Sequence, residues 1–327
     1  MDFGIGPFVC QVPPDGPRTY EQEYETFLQV VSAADDAGFR QAWTSEHHFT
    51  RDGTMNSPLE VASAALAVTD DIRLGTAIAT APLYNPIRLA EATATIGIIG
   101  DGRFDLGLGI GYRDEEFERF DADKRMRVRR LKETVHFLRR AWRGEPFDFD
   151  GMAIEVEDVL VQPAPATPPN IFVGGFAMNA VERSARIGDG HILGPKNFDD
   201  ILPRMNHIDE VLAEENRPPE EFQNVVMADM FVARENAWEK FEDGFRYFMQ
   251  RFADWNFGGE LSDEQFEKAK AQAVYGTPEE VAAELEEYRE TLGEDIQVMG
   301  KFMYPGMDGD VVRESVELFG DEVIPEF

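Results

Sequence analysis

The chain has 327 residues, 43% of them hydrophobic, enough to bury a full core and of a length that suits one α/β barrel or two ordinary domains. A formal net charge of -32 leaves no basic surface for nucleic-acid phosphates or an anionic membrane, so both are set aside as partners. The one cysteine, Cys10, rules out an intramolecular disulfide and a multi-thiolate metal site.

The opening stretch MDFGIGPFVCQVPPDG lacks the basic flank and long apolar core of a signal peptide, and its DFGIGPF reads as a first strand. TYEQEYETFLQVVSAADDAGF follows as a helix, with Phe27, Val30, Val31 and Ala34 on one face and Gly38 closing it. RQAWTSEHHF is a second strand with its loop. SPLEVASAALAVTD is a helix, with Pro58 in its first turn behind Ser57 as N-cap. DIRLGTAIATAP is a strand, PIRLAEATATIGIIGDG a helix and RFDLGLGIGY another strand. KRMRVRRLKETVHFLRRAW is a basic amphipathic helix whose charges read as a solvated face. The rhythm breaks over residues 144–169, where MAIEVEDVLV alternates as short added strands ahead of four prolines. It resumes with NIFVGGFAMNAVERSARIGDG (strand, tight turn, helix), the strand HILGP, a helix over 199–216 and the strand NVVMADMFVA. Residues 235–272 form a long helical and loop region rich in Phe and Trp. The helix TPEEVAAELEEYRETLG, the strand DIQVMGKFMY and the helix DGDVVRESVELFGDEV complete the order. No run reaches the roughly 18 apolar residues of a membrane span, and a cytoplasmic protein is expected.

About eight strands, each usually followed by a helix, close naturally into a (β/α)8 TIM barrel. A doubly wound open sheet is the alternative, but the repeat shows no switch. The expectation is a single α/β domain over residues 1–327, with a short β insertion after the fourth βα unit and a long helix and loop region before strand eight.

Barrel enzymes place their chemistry at the C-terminal ends of the strands. Two of the five histidines, His47 and His48, stand behind Glu46 at the end of strand two. Adjacent side chains at a strand end point in opposite directions, so the pair is poorly placed to share a metal ion, and no metal is expected. An imidazole beside a carboxylate suits proton transfer, while a structural role at the strand end is the plainer alternative. In DLGLGIGY, Gly107, Gly109 and Gly111 occupy alternate positions on one face. Close backbone packing accounts for them, as does a bare wall for a planar ring. VGGFAMNAVERSA opens from a glycine turn into a helix, whose first N–H groups suit a phosphate.

GFRQAWTSEHHF, the strand-three and strand-four region NSPLEVASAALAVTDDIRLGTAIATAPLYNPIRLAEATATIGIIGDGRFDLGLGIGYRDEEFERF, PNIFVGGFAMNAVERSARIGDG, GTPEEVAAELEEYRE and VELFGDEVIPEF together resemble the bacterial luciferase-like monooxygenase family. The likeness spans nearly the whole chain and is weakest over residues 195–272. It implies a flavin-dependent monooxygenase of the two-component kind. Reduced FMN from a separate reductase would react with O2 to a C4a-hydroperoxide that oxygenates a small, hydrophobic organic substrate. It implies His47 as the base or proton shuttle, supported by Glu46 and His48. It also implies a cis peptide at Ala77–Ile78 beneath the flavin ring, with Gly109 and Tyr112 beside it. The phosphate would lie at Gly175, Ala177, Met178 and Asn179, with Arg129 from the basic helix. Light emission is not expected, because Gly109 and Ile110 stand where luciferase has a reactive cysteine and a phosphate-binding arginine. A family branch using the deazaflavin F420 for hydride transfer is the alternative, and a non-catalytic flavin-binding protein a second one. The resemblance implies a homodimer through helices two and three, where EVASAALAV and LAEATATIG are rich in small residues. The Phe- and Trp-rich region reads either as a lid over an apolar pocket or as core.

Asp and Glu total 63 and are spread along the chain, while only seven of the 31 basic residues are lysine. A dispersed acid excess is tolerable where salt shortens like-charge repulsion to a few ångströms, so a halophilic protein is expected. Its melting temperature should rise steadily as KCl is raised towards molar concentration. A flat or falling trend would contradict halophily.

Overall fold

A computed structural model describes residues 1–194 and 197–327. Twelve strands run in chain order as β1 (Asp2–Phe8), β2 (Gln41–Thr44), β3 (Arg73–Thr76), β4 (Ala79–Thr80), β5 (Phe104–Gly109), β6 (Phe147–Asp150), β7 (Glu155–Val159), β8 (Asn170–Gly174), β9 (Gly190–Leu193), β10 (Gln223–Val232), β11 (Val274–Gly276) and β12 (Ile296–Lys301). The helices are α1 (Tyr20–Asp36), α2 (Pro58–Leu66), α3 (Pro86–Ile99), α4 (Asp114–Arg119), α5 (Arg127–Ala141) and α6 (Met178–Ile187), then α7 (Phe198–Glu214), α8 (Ala237–Phe257), α9 (Asp263–Gln272), α10 (Pro278–Leu292) and α11 (Gly309–Glu322).

Parallel pairing runs β1–β2–β3–β5–β8–β9–β10–β12 and returns to β1, closing an eight-stranded barrel. β4 continues the third barrel strand after a break at Ala77–Ile78, and its register on β5 is slipped by one residue relative to β3. That extra residue is a bulge, of the kind barrels place beside their sites. β6 and β7 form the antiparallel insertion after the fourth barrel strand. The region before the last barrel strand holds α8 and α9, and β11 adds a parallel edge to β10. Among the described residues no helix is long and apolar enough to cross a membrane.

Helix α1 begins at a capping box, Thr19 with Gln22, and buries Phe27, Val30, Val31 and Ala34 as its spacing predicts. Ser57 is the N-cap of α2, but its hydroxyl turns to Asn56 Oδ1 at 3.1 Å and caps nothing. The inside of the barrel is filled by Trp43, Phe172, Ile192, Val225 and Met299, with Ala77, Ile78 and Met227 against them. Its N-terminal end is closed by Asp105, which accepts from Gln41 at 2.7 Å, Asn170 at 2.8 Å and both ends of the Arg73 fork. The aromatic region serves two purposes. Phe241 and Phe245 are buried core, whereas the later turns of α8 reach the barrel mouth.

The glycines of strand four pack against strand three. A Cβ on Gly107 would lie 1.8 Å from the carbonyl oxygen of Thr76, and one on Gly109 would lie 2.2 Å from Cδ1 of Ile78. Space that a bare wall would leave for a planar ring is therefore filled by Ile78 and the strand-three backbone. Close packing accounts for Gly107 and Gly109. Because a carbonyl in a sheet ladder cannot retreat, Gly107→Ala should lose about 3 kcal/mol or more in denaturant unfolding. A loss under about 1 kcal/mol would contradict the packing.

Candidate active site

The site is built where the loop after β2 meets the ends of the neighbouring strands. Ser45 fastens that loop to the first strand through both its amide and its hydroxyl, which donate to Phe8 O at 3.1 and 2.8 Å. Glu46 is buried and accepts from the Thr80 amide, just past the strand-three bulge, and from the Tyr84 hydroxyl. Burial, followed by the Glu46 charge, holds the Tyr84 hydroxyl well above its ordinary pKa. The Ala77–Ile78 peptide is cis, as the resemblance implies, and the Ala77 amide donates to Thr44 O at 2.6 Å.

The histidines diverge. His48 Nε2 lies 3.3 Å from Glu46 Oε1, and its ring meets Phe120 edge-on at 4.7 Å. His47 turns the other way, with its ring 4.8 Å from Trp255 and 6.1 Å from Tyr112. Its Nδ1 stands 3.7 Å from Glu116 Oε1, an ion-pair distance rather than a hydrogen bond. Among the described residues no three metal-ligating side chains cluster.

Glu116, on the short helix α4, joins the two histidine positions. Its Oε1 accepts from the His48 amide at 3.0 Å and from Arg113 Nη1 at 2.9 Å, while facing His47. Burial pushes the carboxyl up, but contact with His47, the His48 amide and Arg113 outweighs it and holds the pKa below the usual value. Sequence reasoning passed over Glu116 because DEEFERF reads as an acidic first helical turn.

At the strand-five edge, Gly175 has φ +145°, and a Cβ there would lie 2.7 Å from that of Ala180. Ala177 is the N-cap of α6 and supplies no side-chain cap, so Met178 and Asn179 open a helix whose first N–H groups face outward from its end. Arg183, one turn on, is buried with its Nε lacking a hydrogen-bond partner among the described residues. Burial and the neighbouring charge of Arg127 both lower its pKa. Arg204 donates to Phe176 O at 3.0 Å. The arginine of α5 that reaches this side is Arg127, whose Nη1 donates to Gly111 O at 3.0 Å. Arg129, expected at the phosphate, is half-exposed and lies 3.9 Å from Glu133.

Two further groups point inward at the mouth. Strand alternation aims Met227 and Asp229 of β10, and Met299 and Lys301 of β12, into the barrel. Asp229 Oδ1 accepts from the Tyr304 hydroxyl at 3.0 Å, and Lys301 donates to Pro7 O at 3.1 Å. Burial raises the Asp229 pKa and lowers that of Lys301 to about 8. A lone lysine ending an apolar strand was the signal for Lys301. His191 is wholly buried, donates from Nδ1 to Val173 O at 2.7 Å, and is pushed down to a pKa of about 4 chiefly by burial.

The model for luciferase-like monooxygenases matches residues 1–295. The oxygenase component of a flavin-dependent trigonelline monooxygenase from Acinetobacter baylyi is 26% identical, over 95% of this chain and 91% of that protein. An F420-dependent hydroxymycolic acid dehydrogenase from Mycobacterium tuberculosis is 34% identical over 52% of this chain, about half (49%) of its own length. Among solved structures, monooxygenase RslO1 from Streptomyces bottropensis superposes with a TM-score of 0.90 at 25% identity, covering 100% of this chain and 99% of that one.

Glu116→Gln tests the electrostatics at His47. A carboxyl with a depressed native pKa stabilises the fold above its unfolded value of about 4.3 and loses that contribution as pH falls through the folded value. Unfolding midpoints of wild type and variant should differ most near neutral pH and converge below about pH 4. A gap that stays constant with pH would contradict the assignment.

Proposed function

The chain belongs to the luciferase-like monooxygenase family, whose members are flavin- and F420-dependent oxidoreductases, and from that membership we propose that it is the oxygenase of a two-component, FMN-dependent system. The observation that carries the cofactor reading is Arg183. A buried guanidinium with an orphaned Nε, beside Arg127 and an uncapped helix start, is what a phosphate needs in a chain of net charge -32. The first N–H groups of α6, at Met178 and Asn179, would bind it together with Arg183 and Arg127, and Gly175 gives the turn its close approach. Reduced FMN, when bound, supplies the electrons that activate O2 for insertion of one oxygen atom into the substrate.

What the chain's own groups do follows from their placement. Ile78 and Ala77 present an apolar surface inside the barrel mouth. His47 is the proton-transfer residue: with Glu116 facing Nδ1, Nε2 is the nitrogen left to exchange a proton. Glu46 fixes the loop and orients His48, so both are positioning residues. Trp255, Phe248 and Tyr304 make the mouth largely apolar, which suits a hydrophobic substrate and exclusion of water. The chain's oxygenase-component relative favours a separate reductase. Exposed Val68, Ile98 and Ile99, at the ends of α2 and α3, favour a homodimer through that face.

Hydride transfer with F420 is the second reading, favoured by the F420-dependent relative. A binding protein without turnover is disfavoured by the intact His47–Glu116 pair. Anaerobic titration with reduced FMN and reduced F420, followed by admission of O2, separates the first two. Reduced FMN should bind, and Arg183→Ala should weaken it about tenfold or more. His47→Ala should leave binding in place and slow turnover about 100-fold. Tight F420 binding with no FMN binding would reverse the choice, and unchanged turnover would remove His47 from the mechanism.

A further inference from the structure

Asp52 lies in the loop after β2, beyond the histidine pair, with 1% of its surface accessible. One oxygen, Oδ2, accepts from three groups on two other parts of the chain: Gln11 Nε2 at 3.0 Å, the Tyr247 hydroxyl at 3.0 Å and Arg251 Nε at 3.2 Å. The other, Oδ1, accepts from Thr54 at 3.3 Å. Tyr247 and Arg251 are one turn apart on α8, and Trp255 is one turn further along the same face. The Arg251 guanidinium lies 5.6 Å from the centre of the Trp255 ring and pairs with Asp254 at 2.7 Å. Arg113 approaches the same ring at 5.7 Å.

These contacts close a loop of interactions. Asp52 holds Arg251, Arg251 holds Trp255, Trp255 covers His47, His47 faces Glu116, and Glu116 binds Arg113, which returns to Trp255. Buried and held by four donors, Asp52 ties the later turns of α8 to its own loop and to Gln11 after the first strand.

We infer that Asp52 is a positioning residue that, through Arg251, fixes Trp255 over His47 and so forms the roof of the reaction site. The inference rests on the oxygenase reading for its catalytic meaning, because the roof matters only if His47 handles protons. Its geometry stands without any cofactor. Releasing Arg251 frees the last turns of α8 to swing away, which opens His47 to water while leaving the barrel strands untouched.

The test uses the full-length protein without flavin. Acrylamide quenching is measured for wild type, Asp52→Asn and Arg251→Gln, each beside its Trp255→Phe counterpart, so that subtraction isolates Trp255. Both variants should raise the quenching constant of Trp255 about twofold or more, with the remaining tryptophans unchanged. If Asp52→Asn fails to fold, the part-exposed Arg251→Gln decides alone. An unchanged Trp255 signal in a folded variant overturns the inference. A wild type that binds no reduced flavin would sink the oxygenase reading and leave this result standing.

Discussion

The carboxylate of Glu46 organises the mouth of the barrel. It takes the Thr80 amide and the Tyr84 hydroxyl from the third barrel strand and its following turn, and lies against His48 from its own loop. Leaving the Thr80 amide unpaired in this buried place would cost roughly 1–3 kcal/mol, so the loop has one strongly preferred seat. With His48 drawn to Glu46 on one side, the alternation of the chain turns His47 to the other, where Glu116 and Trp255 wait. The bulge at Ala77–Ile78 belongs to the same arrangement, because it carries the Thr80 amide to Glu46 and sets Ile78 inside the barrel.

Asp105 with Arg73, Gln41 and Asn170 seals the N-terminal end, a saturated network suited to stability. Among the described residues, buried groups short of a partner occur near both ends: Asn224 Oδ1 and Gln297 Nε2 early in their strands, and Arg183 Nε, Gln11 Oε1 and His47 Nδ1 at the C-terminal end. Unsatisfied polar atoms of this kind are costly in a finished core and expected where a ligand completes them. The concentration of arginine at the α6 turn, in a chain so rich in acid, belongs to the same end.

Much of this was legible in the sequence because the relevant residues are neighbours in the chain. Glu46, His47 and His48 are adjacent, alternation alone separates the two rings, and the alternating strands and helices predict the closed barrel. Other parts depend on contacts that no local pattern carries. Glu116 and Trp255 reach His47 from distant segments, and an acidic helical turn and an aromatic helix look the same with or without such a neighbour. Which arginine of α5 turns toward the barrel mouth is set by helix rotation. Two residues along a helix turn the side chain by about 200°, so Arg127 faces the site while Arg129 faces Glu133. The glycines of strand four show no such contact within their own strand, because they pack on Ile78 and Thr76 of the neighbouring third strand.

On the proposed reading, the His47 edge and the Arg183 edge of the barrel are two ends of one cofactor site. A crystal structure of the protein with FMN bound tests it most directly. The phosphate should lie on the first turn of α6 within hydrogen-bond reach of Arg183, with the ring inside the mouth between Ile78 and His47. A phosphate bound elsewhere, or a ring remote from His47, would contradict the assignment.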